Sequence, residues 1–310
     1  MATSRTSEPL DASLDEAVSP PELGPPPVHT GPRRLRDLVG TTGRHVGLIV
    51  MTGLIALPFL WMVTNSIKTT DEMWAWPPVW WPAEAVWSNF PDAWSAARFG
   101  RYMFNSFFVA AAIVAIQTVN TAMLAYAITQ MRFWGRDMLF GLVLVTYMLP
   151  VPATYVVSFI ILSRLGWLDS YQGLIVSNSV SVLAIFLVRQ AFLQVPRDYI
   201  EAARMDGASH WKVLWQICFP LAKPVFITVG ILNFIVQYNN YFWPRLITRS
   251  DEMRLVSVGL RQFFIEAGAY GIQWPLIMAA ATFIVLPLLI GFLFVQKWLV
   301  RAVSLTSGQK

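Results

Sequence analysis

Six runs of this chain are apolar and nearly free of charge for long enough to cross a lipid bilayer, and nothing else in the sequence limits the fold so strongly. They lie at about residues 45–67, 104–128, 138–162, 173–191, 225–244 and 275–298. At 1.5 Å per residue, about 20 helical residues span the ~30 Å hydrocarbon core. Backbone N–H and C=O groups in that core must be paired within the protein, which leaves helices or closed barrels. Runs this long predict helices, so the expected fold class is an all-α polytopic membrane protein with six transmembrane helices. Composition agrees: 13% of the 310 residues are charged, against about 25% in soluble domains. Pro58, Pro150, Pro152, Pro275 and Pro287 fall within the runs. Membrane helices tolerate proline where neighbours satisfy the freed carbonyls. The Pro150/Pro152 pair predicts that the third span is bent.

Residues 1–43 read as a disordered cytosolic tail, rich in Pro, Ser, Glu and Asp up to residue 32. No secretory signal is expected, because the first apolar run starts only after residue 45. Residues 44–103 then hold the first span and a long outer loop with Trp74, Trp76, Trp80, Trp81, Trp87 and Trp94. Such rings suit the headgroup level or an external docking surface. Residues 104–298 hold the other five spans with a polar loop at 192–224, and residues 299–310 form a second cytosolic tail. With the N-terminus inside, fourteen Lys/Arg near span ends fall on the inner side and eight on the outer. That excess places both termini in the cytosol of a plasma-membrane protein. The net charge of +5 is then a matter of topology, and no nucleic-acid partner is expected.

The span centres lack ionisable residues, which argues against proton-driven or voltage-driven transport. There is no His-Glu-x-x-His, no Gly-x-Ser-x-Gly and no Gly-x-x-x-x-Gly-Lys-Ser/Thr. His29, His45 and His210 have no metal-ligand spacing, and Cys218 has no cysteine partner. The expectation is therefore no catalytic residue, no metal and no cofactor on this chain. Energy for any active transport must come from another subunit. The polar residues that do enter the spans are uncharged. Asn233, Gln237, Asn240 and Pro244 fall at i, i+4, i+7 and i+11 of the fifth run, with Tyr241 nearby. They line a pathway for a polyhydroxylated solute or serve as interhelical glue. Gln117, Asn120 and Thr121, and Ser177, Asn178, Ser179 and Ser181, read as glue.

The charged block between the fourth and fifth runs predicts two short helices. Pro196 suits a first helical turn, and Asp198 and Glu201 suit the positive end of that helix. Glu201 and Arg204 are placed to pair. Gly207 suits a left-handed helix end. Ser209 suits the cap of a second helix with Trp211, Leu214 and Trp215 on its apolar side, limited by Pro220. The first helix, about ten residues long, is marginal alone in water and needs packing to hold it. On physics alone it is either a plain surface helix or a stiff rod that transmits a push.

The block also resembles a known family. Glu201-Ala202-Ala203, then Gly207, Ile217 and Phe219-Pro220, is similar to the EAA loop of ABC importer membrane subunits; Phe219 stands where leucine is usual. Asn65-Ser66-Ile67-Lys68-Thr69, Pro77-Pro78-Val79-Trp80, Leu165-Gly166-Trp167-Leu168-Asp169-Ser170 and Asn239-Asn240-Tyr241-Phe242-Trp243-Pro244 resemble the carbohydrate-uptake, MalG-like branch. The resemblance covers residues 45–300. It implies a type I importer permease fold and a second, homologous permease as partner. It also implies two ATPase subunits carrying ATP and Mg, and an extracytoplasmic solute-binding protein. It implies ATPase coupling by Glu201, Ala202, Ala203, Asp206, Gly207, Ile217 and Pro220, and an interface role for Ser304–Lys310. The expected function is sugar or polyol import, with Asn233, Gln237, Asn240 and Tyr241 on the pathway. The span centres hold no cations, which favours a neutral sugar over a phosphorylated one. The alternatives are a stand-alone passive channel or carrier, and a membrane scaffold.

Overall fold

A computed structural model describes residues 33–269 and 273–307. Most of the expected N-terminal tail and the last three residues of the C-terminal one lie outside that range. The described residues form helices joined by loops, with no strand among them. The helices are α1 (Arg33–Asn65), α2 (Thr70–Trp74), α3 (Asn89–Ala96), α4 (Phe99–Gln130), α5 (Arg136–Met148), α6 (Val151–Arg164), α7 (Tyr171–Val176) and α8 (Val182–Leu193). They continue with α9 (Arg197–Met205), α10 (His210–Val213), α11 (Phe219–Leu221), α12 (Lys223–Tyr238), α13 (Phe242–Ile247), α14 (Val256–Ala269) and α15 (Trp274–Ser307). Helix α1 starts ten residues before the expected end of the tail at 43, and α15 runs past 299 to Ser307. Charged residues such as Arg33, Arg34 and Arg36 are compatible with helix, so a helix end need not coincide with the end of an apolar run.

The chain divides into two units, residues 1–57 and 58–310. In the first, α1 shows the stripe-free apolarity of a span, with Leu48, Ile49, Leu54 and Ile55 all exposed. In the second, α4 is the central helix and packs on α8, α12 and α14. Its buried face carries small residues, Ala110, Ala122 and Ala125, that let neighbouring backbones approach.

Three helical stretches are long and apolar enough to cross a membrane unbroken: Thr42–Asn65, Phe99–Gln130 and Trp274–Phe294. The other three expected spans are broken, and each break has a local cause. Between α5 and α6 the axis bends by 103°. Pro150 drives Leu149 into extended backbone, as the residue before a proline prefers. The fourth run is not one helix but α7 and α8, parted at Ser177–Ser181. Ser177 Oγ turns back to the Gly173 carbonyl, and Ser181 Oγ caps α8 by accepting from the Ala184 amide at 3.3 Å. The fifth run stops at Tyr238, where Asn239 Nδ2 donates to the Ile235 carbonyl at 2.9 Å and competes with the next helical turn. Pro244 then sits in the first turn of α13, where its missing N–H costs little.

The outer loop is anchored by Lys68, whose side chain is 1% exposed. Its ammonium donates to Asn65 Oδ1 at 2.9 Å and to the Val79 carbonyl, and lies 4.6 Å from the Trp61 ring centre. Burial holds its pKa below the ordinary lysine value, and the Glu72 carboxylate partly offsets this. Asn89 Nδ2 donates to the carbonyls of Ser66 and Lys68, both at 3.0 Å. The six tryptophans of this loop stay between 48% and 89% exposed, available to lipid or to a partner. Helix α14 was not expected from sequence. It presents Val256, Val258 and Phe263 inward, and Gly259 lies so close to the Tyr102 ring that a methyl group there would clash.

Candidate functional site

Helix α9 is the polar element expected to bear the function, and its ends are built by the residues that the sequence singled out. Pro196 occupies the cap position, one residue ahead of the first helical turn, and Asp198 lies in that turn. At the far end Gly207 adopts φ +77°, a left-handed conformation open to glycine at little cost. The Ala208 amide donates to the Ala203 carbonyl at 2.9 Å and the Gly207 amide to the Arg204 carbonyl at 3.0 Å. This six-to-one and five-to-two pair is a Schellman closure, and it fixes the angle at which the chain leaves the helix.

One face of α9 is fastened to the bundle. Ile200 is 6% exposed and packs in a core with Ala122, Tyr126, Phe192, Val213, Leu214 and Phe226, and Ala203 and Ala208 press against that core. Burying Ile200 contributes about 2 kcal/mol, enough to hold a helix that is marginal by itself. The opposite face, with Glu201, Ala202, Met205 and Asp206, is exposed, and Met205 is 90% exposed. Arg204 does not pair with Glu201. Its Nη2 lies 2.9 Å from His210 Nδ1, and the Tyr126 hydroxyl lies 3.0 Å from the same nitrogen. The same Nη2 lies 3.2 Å from His210 Nε2, so the guanidinium, which can only donate, faces the edge of the ring that carries both nitrogens. His210 is held beside the helix as the first residue of α10 and by an edge-on contact with the Tyr126 ring.

Beyond Gly207 the chain rewinds at once. Ser209 caps α10 by accepting from the Lys212 amide at 3.3 Å. Residues Leu214–Cys218 form a π-helical turn that contains Ile217, and α11 with Pro220 follows. Pro220 has no N–H to give the preceding turn, which accounts for the wider winding just ahead of it. The segment His210–Leu221 meets α12 at 79°. Leu214 is buried and Trp215 half-buried as expected, whereas Trp211 is 59% exposed, stacked edge-on against Trp215. Cys218 is buried, and burial pushes its thiol up to about 11.

The four expected pathway residues do not converge on one cavity. The break at Asn239 takes Asn240 and Tyr241 off the helix that carries Asn233 and Gln237, so the i, i+4, i+7, i+11 stripe does not exist as one face. Asn233 Oδ1 accepts from Ser181 Oγ at 3.4 Å, which ties α12 to α8. Gln237 is half-buried, and its amide makes no hydrogen bond among the described residues. The Asn240 carbonyl accepts from Ser257 Oγ at 2.6 Å. A groove of about 650 Å³ between α4, α12 and α15 is walled by apolar residues such as Phe107, Phe226 and Phe234 and includes none of the four. The hydroxyls and amides of the second and fourth runs behave as glue. Gln117 Nε2 donates to the Asn178 carbonyl at 2.7 Å, Asn120 Nδ2 to the Ser179 carbonyl at 3.0 Å, and Trp243 Nε1 to Ser177 Oγ at 2.9 Å. Sequence reasoning missed the roles of Tyr126 and His210; the position of His210 directly after the Ser209 cap was the available signal.

Broken apolar helices around one long central helix, with a short polar helix fastened to one end, define a multi-pass membrane protein. Residues 121–305 match the family described as the binding-protein-dependent transport system inner membrane component. The chain belongs to that family, and within it to the MalG-like branch of carbohydrate ABC importer permeases. It is 35% identical over 264 residues to the sn-glycerol-3-phosphate transport system permease protein UgpE of Yersinia enterocolitica, covering 83% of this chain and 93% of that one. It is 30% identical over 280 residues to UgpE of Brucella abortus, covering 87% and 96%. A bacterial ABC transporter involved in import of the acidic polysaccharide alginate superposes with a TM-score of 0.73 at 24% identity, over 88% of this chain and 99% of that one. A bacterial alginate ABC transporter in complex with its alginate pentasaccharide-bound periplasmic protein gives 0.60 at 15% identity, over 84% and 93%. The fold is that of a type I ABC importer permease, a multi-pass membrane protein working within a transporter complex.

Proposed function

We propose that this subunit passes a sugar or related polyol, phosphorylated or acidic forms included, through the plasma membrane into the cell. The names of its relatives widen the solute class beyond the neutral sugars favoured by charge-free span centres. An anionic solute needs cations somewhere on its route, and a second permease or the solute-binding protein can supply them. The complex has this chain, one homologous permease, two ATPase subunits and an outside binding protein. ATP and Mg sit on the ATPases, and this chain is not catalytic. Both termini face the cytosol.

The observation that carries the reading is the two-faced construction of α9. Ile200 and Ala203 bind it to the bundle while Glu201, Ala202, Met205 and Asp206 stay free for a partner. Closure of the ATPases moves that face, and the Schellman end and the Tyr126–His210–Arg204 contact pass the movement to α4. Differential contacts in two states then shift the bundle between inward-open and outward-open forms. Gln237, Asn240 and Tyr241 contribute to the solute path at the break after α12. Ile217 and Pro220 shape the joint behind the rod.

Purification under mild detergent tests the assignment. The chain is expected to bring down an ATPase and a second permease, and the reconstituted set to take up solute only with ATP and binding protein. ATP-independent flux by the chain alone would establish the passive-channel alternative instead.

A further inference from the structure

Beside the buried end of α9 lies a second cavity, about 470 Å³, of a different character from the apolar groove. Four guanidiniums line it: Arg132 after α4, Arg136 at the start of α5, and Arg197 and Arg204 on α9. Glu201 is the one carboxylate in the lining. Arg132 and Arg197 make no hydrogen bond or ion pair among the described residues. Arg136 reaches only the exposed Asp137, at 3.4 Å, a contact that water screens. Arg204 is turned to His210 and meets no carboxylate among the described residues. Converging guanidiniums with so few acceptors set up a field that concentrates anions. Their forked donors match phosphate oxygens two at a time.

The rim says which phosphate. Arg132 and Arg136 flank Phe133, Trp134 and Gly135, and Gly135 at φ +84° turns the chain into α5. Phe133 is 42% exposed, Trp134 97% and Met138 67%. A tryptophan left wholly exposed between two arginines suits the headgroup layer, where its ring meets lipid and the cations meet phosphate. We propose that this arginine pocket binds the phosphate of an anionic phospholipid in the membrane leaflet on the α9 side. Its walls come from α9 and from the α4–α5 turn, so an occupied pocket ties the rod to the span by a route additional to Ile200 and to the Tyr126–His210–Arg204 contact. Loading then varies with the anionic lipid content of that leaflet.

The test uses the assembled transporter in nanodiscs of phosphatidylcholine alone or with phosphatidylglycerol, read by native mass spectrometry and by ATP-driven uptake. Retained phosphatidylglycerol and faster uptake are expected in the mixed lipid. R132Q/R136Q is expected to lose about five-fold in phosphatidylglycerol affinity per arginine removed. R132K/R136K, which keeps the charge, is expected to recover much of it and controls for misfolding. Equal retention by R132Q/R136Q and the unaltered complex would overturn the proposal. So would inorganic phosphate in phosphatidylcholine discs reproducing the whole effect, which would make the ligand a free anion. Loss of the ATPase subunits from R132Q/R136Q with lipid retention unchanged would also overturn it, because the arginines would then be a protein-docking surface.

Discussion

The Tyr126 hydroxyl and His210 Nδ1 lie 3.0 Å apart and join the last turns of α4 to the first residue of α10. With Arg204 on the same nitrogen, three side chains link the central span, the rod and the segment behind it. A push on α9 therefore has a direct polar route into the bundle as well as the apolar one through Ile200.

Tyr126→Phe removes that hydroxyl and keeps the ring. One hydrogen bond is worth about 1 kcal/mol. The expected outcome is near-normal membrane insertion with less solute moved per ATP hydrolysed, measured as the ratio of uptake to ATPase rate in proteoliposomes. An unchanged ratio would remove the hydroxyl from the coupling route.

Gly207→Val places a β-branched residue at φ +77°. No atom lies within 4 Å of the added Cβ, so the cost is backbone strain, about 1–2 kcal/mol or more, and not a clash. The Schellman closure should open and the exit angle of α9 change. Uptake is expected to collapse while the protein still inserts; full uptake with normal ATPase stimulation would show that the joint need not be rigid.

Much of this site could be read from sequence, and the reason is local. Caps and left-handed ends depend on a few neighbouring residues, so Gly207 and Ser209 declared themselves. The six apolar runs likewise gave the helical class. The breaks at Ser177–Ser181 and Asn239–Tyr241 were harder, because an isolated polar cluster reads equally well as glue inside a continuous helix. Only the turned-back bonds of Ser177 and Asn239 decide between the two. Helix α14 has mixed polarity and lies next to charged residues, so no apolar run marked it. The contact between Tyr126 and His210 joins positions 84 residues apart, and no sequence period reports it.

Gln237→Leu tests the solute path. The half-buried amide has no partner to lose among the described residues, so the change should leave folding and ATPase assembly intact. Uptake is expected to fall about five-fold if the amide bonds the solute, the equivalent of one hydrogen bond. Asn233→Ala, by contrast, breaks the tie to Ser181 and should lower thermal stability. Unchanged uptake and unchanged solute preference in Gln237→Leu would assign both residues to packing.

Asp169 makes the α6–α7 loop sensitive to acid. It adopts φ 54°, and its Oδ1 accepts from the Arg249 amide at 2.8 Å and the Ser250 amide at 3.0 Å. Burial raises its pKa, but the Arg249 amide and the hydroxyl and amide of Ser250 together outweigh that and hold it below 3.8. The unfolded chain then takes up the proton first as pH falls. The stabilisation is fully present above the ordinary aspartate value and fades as pH drops through the lower folded one. Asp169→Asn tolerates the backbone but lacks the charge, and is expected to cost about 1 kcal/mol at pH 7. Melting curves of the two proteins should converge at acid pH; a gap that persists unchanged would mean the charge is irrelevant.

The central claim is that the exposed face of α9 is covered by an ATPase in the working complex. Met205→Cys gives the direct measurement, because Met205 is 90% exposed and the native thiol, Cys218, is buried with its pKa pushed up to about 11. A maleimide should label the new cysteine in the free subunit and leave the unaltered protein unlabelled. In the assembled transporter the new cysteine is expected to be shielded and to cross-link to an ATPase subunit, with the yield changing when ATP is added. Equal labelling in the free subunit and the assembled, active transporter, with no cross-link, would contradict the account.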